Sequence, residues 1–283
     1  MKLLRGFFQF CVFIILTVLT QIGGIAYLIS SFVASKTGVR SWYAKLLVFI
    51  AFYVAATVSA NLIAPIFGRI PISCMSGEAN NLAVRSPIYC LLNRNYVTPP
   101  TLNLVSALAN DVNRAFPGTT TMVLDANFPF WDGFPLLPHL SHSDGRKLDI
   151  AYYYKTAGGD FVNGVTKSPI GYFAFEQPSA NEEQPCVGRH DILTTRWNFD
   201  WLQPFLPDYH IEDRRMAFSL KWLATEGVQR FGLEKVFIEP HLANTLGVKD
   251  SVIRFQGCRA ARHDDHIHVQ IRRLAVPQQL ETM

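Results

Sequence analysis

Two long uncharged apolar runs open the chain, and the polar and apolar positions after them alternate at shorter periods. Residues 6–35 carry no charge, and residues 7–33 are dominated by Phe, Ile, Leu and Val. Residues 46–68 form a second uncharged run. A helix of about 20 apolar residues crosses a bilayer, so the pattern predicts a two-helix transmembrane hairpin within residues 1–69. The first run is too long for the core of a cleaved signal peptide and lacks a small-residue cleavage site.

Residue 70 begins a composition ordinary for a globular domain. Residues 70–99 are turn-rich and read as an irregular lead-in; residues 100–283 read as one domain. Leu104, Val105, Leu108 and Val112 fall at helical spacing and predict a helix over 102–116, ending before Pro117-Gly118. Residues 120–125 and 148–154 read as strands. Between them, residues 127–140 hold Pro129, Gly133, Pro135 and Pro138 and predict an ordered loop. Residues 156–184, rich in Gly, Pro and Asn, read as an insertion or flap. Met216, Phe218, Leu220, Trp222, Leu223 and Val228 predict an amphipathic helix over 213–231, stopped by Gly232. Residues 236–238 and 266–271 read as further strands. That order predicts an α+β domain whose small, mainly antiparallel sheet is flanked by helices.

Charge and cysteine usage add a compartment. The net charge of +4 is too small and dispersed to mark a nucleic-acid partner. Lys2 and Arg5 precede the first run, while Lys36, Arg40 and Lys45 surround the connector. The positive-inside tendency therefore places the connector in the cytoplasm, with the N-terminus and the domain outside it. Cys11 lies in the first run; Cys74, Cys90, Cys186 and Cys258 all lie beyond the second. An even number there suits two disulfides in an oxidising compartment, with Cys74 and Cys90 tying the lead-in.

The chemistry is concentrated in two polar clusters. Only eight histidines are present, and three of them, His263, His266 and His268, fall in the run 262–269 together with Asp264 and Asp265. His139 and His142, followed by Asp149, form the other cluster. On a strand His266 and His268 share one face while Ile267 and Val269 face the core. Gly145 lets the loop after His142 turn back toward Asp149. A catalytic zinc site needs three protein ligands; His142, Asp149 and one of His266 or His268 supply them. Asp264 and Asp265 are placed to orient the histidines. His190, His210 and His241 read as isolated, satisfied polar residues.

The pattern His139-x-x-His142, six residues, Asp149, then His263-x-x-His266-x-His268 resembles the penicillin-insensitive murein endopeptidases. These belong to the lysostaphin-type, D-Ala-D-Ala and hedgehog-related zinc metallopeptidases. Residues 234–240 are similar to the strand before that family's last motif, and the resemblance covers roughly residues 100–272. It implies Zn²⁺ held by His142, Asp149 and His268, with His266 as the catalytic histidine and His139 and His263 in supporting roles. The site's own residues leave His266 open as catalyst or ligand. The resemblance implies a zinc metallopeptidase cutting peptidoglycan cross-links outside the cytoplasm, and the two apolar runs add an anchor in a bacterial inner membrane. A D,D-carboxypeptidase of the same fold and an inactive, membrane-tethered zinc-binding module are the alternatives. The two apparent spans, the basic pair Arg146-Lys147, and residues 158–184 and 196–201 depart from the family.

Overall fold

A computed structural model describes residues 2–74, 81–189 and 191–273. The first apolar run is not one helix. Helix α1 (Lys2–Thr20) ends at Gln21, whose φ is +66°, and the chain reverses into α2 (Gly23–Lys36). Reversal depends on the Gly23-Gly24 pair. A Cβ at Gly24 would lie 1.9 Å from Thr17 Oγ1 and 2.8 Å from the Phe13 carbonyl oxygen, so only glycine lets α2 fold back on α1. After the connector, α3 (Trp42–Ile63) packs on α2 and continues through a 3₁₀ turn, Ala64–Phe67.

Two helices remain long and apolar enough to cross a membrane, Leu3–Thr20 and Trp42–Phe67, with mean hydropathies of 2.0 and 2.2. The 14 residues of α2 extend only about 21 Å at 1.5 Å per residue, short of a hydrocarbon core of about 30 Å. Leu3, Phe7, Phe8, Ile15, Phe32 and Leu47 are among many exposed apolar side chains on this bundle. So large an apolar surface is rare on a protein facing water on all sides. Because the helices run antiparallel in turn, the N-terminus and the connector share one end and the domain lies at the other.

The described residues of 70–99 form regular elements where an irregular lead-in was expected. They contain β1 (Ile70–Pro71), β2 (Leu82–Val84), α4 (Pro87–Leu91) and β3 (Tyr96–Val97), and the Cys74–Cys90 disulfide ties them. Next come α5 (Pro99–Ala115), β4 (Thr121–Val123) and β5 (Lys147–Ala151). The predicted 148–154 strand breaks after Ala151, and Tyr154–Thr156 (β6) joins Phe161–Val162 (β7) and Tyr209–Ile211 (β8) in a separate sheet of order β7-β6-β8. Helix α6 (Asp213–Trp222) passes through a π turn into α7 (Val228–Phe231), which Gly232 ends in the left-handed region. β9 (Leu233–Phe237), α8 (Pro240–Thr245), β10 (Ile253–Arg254) and β11 (His266–Ile271) complete the domain.

The expected small antiparallel sheet is six-stranded, in the order β10-β9-β11-β5-β4-β2. Its edge pairs, β10 with β9 and β2 with β4, are parallel. The lead-in segment supplies one edge, which no local pattern betrayed. Leu104, Leu108 and Val112 of α5 pack with Met216, Leu220 and Leu223 in one buried core that includes the sheet residues Leu148, Ile150, Ile267 and Val269. That leaves the opposite face of β5 and β11 for polar groups.

Candidate metal centre

The site grows from a strand pair. β5 and β11 are antiparallel, with Leu148 opposite Val269, Asp149 opposite His268 and Ile150 opposite Ile267. Alternation sends Leu148, Ile150, Ile267 and Val269 into the core and turns Asp149, His266 and His268 to the other face. There His268 Nδ1 lies 2.8 Å from Asp149 Oδ1. Directly opposed residues are the closest neighbours a sheet offers, so this contact is built into the register.

The 127–146 loop brings the second cluster over that face. Gly145, at φ +75°, makes the turn, donates its N–H to Asn127 Oδ1 (2.9 Å) and accepts from Thr98 N–H (2.8 Å). His142 donates its N–H to the His139 carbonyl (2.9 Å), which sets both rings beside Asp149. His142 Nε2 is 3.3 Å from Asp149 Oδ1, and His139 Nδ1 is 3.3 Å from Asp149 Oδ2. The donor atoms of His139, His142 and Asp149 all lie within 4.8 Å of one another, so this His-His-Asp group could hold a metal ion.

The chemistry of the donors fits a cation. His142 Nδ1–H donates to the Ala126 carbonyl (2.8 Å), which turns Nε2 inward. That nitrogen meets Asp149 Oδ1 at 3.3 Å and His268 Nδ1 at 3.1 Å. Protons on His142 Nε2 and His268 Nδ1 serve these contacts one at a time, and a metal ion in place of the protons serves all of them together. Tetrahedral zinc at about 2.0–2.1 Å from N and O ligands sets donors about 3.4 Å apart, close to the spacing seen. His268 Nε2 is buried without a hydrogen-bond partner.

His266 stands apart from that trio. Its Nδ1 contacts Asp265 Oδ1 at 2.5 Å, and its Nε2 faces Asp149 Oδ2 at 3.7 Å. Asp265 is fixed in turn by the Phe173 N–H (2.6 Å). Of the two acids expected to orient histidines, only Asp265 does so; Asp264 is gripped by the Arg262 guanidinium. His263 lies behind, its ring 4.9 Å from that of His266 and 5.7 Å from those of His268 and Phe237. His139, His142, Asp149, His263, His266 and His268 all line one cavity of about 200 Å³.

Electrostatics separates the histidines. Burial opposes charge on His266, but the Asp149 and Asp265 carboxylates outweigh it and raise its pKa to about 9. Burial dominates at His268 and lowers its pKa to about 4. His263 is pushed well below the ordinary range by burial and then by His266 and His268. Asp149 is held well below the ordinary carboxylate range, because His142 and His266 outweigh its burial. Without a metal, His266 is thus protonated at neutral pH. The His142 pKa is raised as well, because Asp149 outweighs its burial, so cation binding will expel protons and metal affinity will rise with pH through the range where these histidines titrate. Proton release measured in weak buffer during zinc titration checks this; uptake without release at pH 7.5 would contradict it.

The pattern missed Tyr172, Asp125 and Arg94. Tyr172 Oη donates to Asp149 Oδ2 (2.6 Å) and accepts the Asp125 N–H (3.1 Å). Asp125 also stands 3.1 Å from His139 Nδ1 and is paired with Arg94. Residues 156–184 are therefore no detached flap: Tyr172 and Phe173 touch the centre, and Glu176 N–H donates to the Asp264 carbonyl (2.8 Å). Arg196 clamps Glu239 at 2.9 and 2.8 Å and Asn198 accepts from Arg262 (2.9 Å), so residues 196–201 brace the same loop. Tyr172→Phe will weaken metal binding about 10–100-fold, the usual cost of losing a group that orients a ligand. Competition against a chelator measures it, and an unchanged affinity would remove Tyr172 from the centre.

Of the remaining histidines, the two described ones lie away from the centre. His241 Nε2 meets the Glu176 carbonyl at 2.8 Å, His210 is exposed beside Asp208, and His190 lies outside the described residues. No protein-family model and no curated protein matches the chain.

Proposed function

We propose that this protein is a membrane-anchored zinc metallopeptidase that hydrolyses amide bonds in peptidoglycan cross-links, with Zn²⁺ on His142, Asp149 and His268. The observation that carries the reading is the convergence of His142 Nε2, Asp149 Oδ1 and His268 Nδ1, at 2.8 to 3.3 Å from one another, beside a histidine outside the trio. A structural zinc site is usually closed by four protein ligands; His139, the fourth candidate donor, faces Asp149 Oδ2 and not the Oδ1 shared by His142 and His268, which supports three ligands and an open position.

Zinc supplies Lewis acidity toward water and toward a scissile carbonyl. The chain's own groups supply the rest. Asp265 fixes His266 with Nε2 toward the cavity, where it takes a proton from attacking water or donates to a developing oxyanion. Tyr172 and the Ala126 carbonyl hold Asp149 and His142 in place. His139 and His263 line the cavity as supporting groups.

In this reading α1 and α3 cross the bilayer, and α2 with the residues that flank it returns the chain between them. The Cys74–Cys90 and Cys186–Cys258 disulfides favour an oxidising compartment for the domain. The reversal at Gln21 moves the N-terminus to the connector's side, opposite the domain, instead of beside it. Lys2, Arg5, Lys36, Arg40 and Lys45 then all fall on one side, a stronger positive-inside signal than a hairpin gave.

Digestion of purified peptidoglycan by the full chain, with and without a chelator, tests the activity. Chelator-sensitive monomers released from cross-linked dimers are expected. Release of D-alanine alone would make the protein a carboxypeptidase, and no product would leave a zinc-binding module.

A further inference from the structure

A groove of about 630 Å³ opens between the three helices at the end remote from the domain, lined in part by Arg5, Gln9, Ser31, Arg40, Lys45 and Phe49. Arg5 lies near the start of α1, Arg40 in the connector and Lys45 in the first turn of α3, and all are exposed. The chain contains no Asp or Glu before Glu78. Arg5, Arg40 and Lys45 consequently have no ion pair among the described residues. Gln9, one helical turn deeper than Arg5, is half-buried and makes no hydrogen bond among them. Apolar walls from Val12, Leu16 and Leu46 continue the groove along the helices. The metal centre uses none of these residues.

We propose that this groove binds one anionic phospholipid, with the phosphate among Arg5, Arg40 and Lys45. The proposal rests on the reading that α1 and α3 span a bilayer, which brings these cations to headgroup level. Charge complementarity selects the occupant: three unpaired cations need anions from outside the segment, and basic pockets between spanning helices attract lipid headgroups. A second copy would present the same cations and be repelled. Gln9 and Ser31 offer hydrogen bonds to the glycerol ester region, and the apolar walls accept the upper acyl chains.

Native mass spectrometry of the full chain, titrated with phosphatidylglycerol, phosphatidylcholine or inorganic phosphate, tests this. One phosphatidylglycerol should be retained preferentially, and Arg5→Gln/Arg40→Gln/Lys45→Gln should weaken it about 100-fold, from about fivefold per cation. Lys36→Gln, at the same end but outside the groove, should leave binding unchanged. Equal retention of phosphatidylcholine, displacement by millimolar inorganic phosphate, or an unaffected triple variant would overturn the lipid site. Each can occur with the protein still membrane-bound. Release of the chain from membranes by alkaline carbonate would instead overturn the spanning reading and the lipid site with it.

Discussion

Asp149→Asn will strip the centre of metal. Asp149 is the anionic donor of the trio, and it also receives Tyr172 Oη and faces His139 and His266. Asparagine preserves the volume, so no cavity forms in the packed strand. What changes is the sign of the site: an amide N–H₂ turned toward the His142 and His268 lone pairs satisfies them without a cation. Metal content should fall from about one per chain to below about 0.1, and hydrolysis by at least about 10³-fold, since a catalytic site needs all three ligands. Elemental analysis and turnover measure both. Full zinc occupancy in this variant would remove Asp149 from the ligand set.

His266→Ala will separate chemistry from binding. His266 makes its closest contact with Asp265, and its Nε2 remains 3.7 Å from Asp149 Oδ2. Its loss should therefore spare most of the metal while lowering kcat about 10²–10⁴-fold, the range for a general acid or base. KM should change little, because the interaction is made in the transition state. Asp265→Asn should lower kcat less, about 10–100-fold, by loosening the ring. Loss of zinc in the His266 variant would make it a ligand and leave the catalyst unassigned.

The parts of the site that share a strand were the parts a reader could find in the sequence. Alternation along residues 266–271 placed His266 and His268 on one face and Ile267 and Val269 behind them. Gly145 announced the turn that carries His142 back to Asp149. The centre's remaining partners come from sequence-distant segments without a period. Tyr172 follows a glycine in a run with no alternation, and Asp125 is a lone acid after a strand of three residues. Their role appears only when β4, β5 and the 171–176 segment pack side by side. The break at Gln21 was equally hidden, because an uncharged apolar run reads the same whether it crosses or doubles back. Gly23-Gly24 was its only local mark, and glycine is common in apolar helices.

Gln21 has one more bond. Its Oε1 accepts the Phe130 N–H (3.0 Å), and Phe67, at the end of α3, stacks edge-on against the Phe130 ring at 5.0 Å. Phe130 belongs to the loop that carries His139 and His142. Cutting the chain at residue 70 to obtain a fragment without the helices would thus remove a hydrogen bond worth about 1 kcal/mol and an aromatic contact of similar size from the metal loop. Such a fragment should hold zinc more weakly than the intact protein even with every ligand present. The helices are a wall of the metal-site scaffold, and a tilt at their domain end has a direct mechanical path to two of the site's histidines.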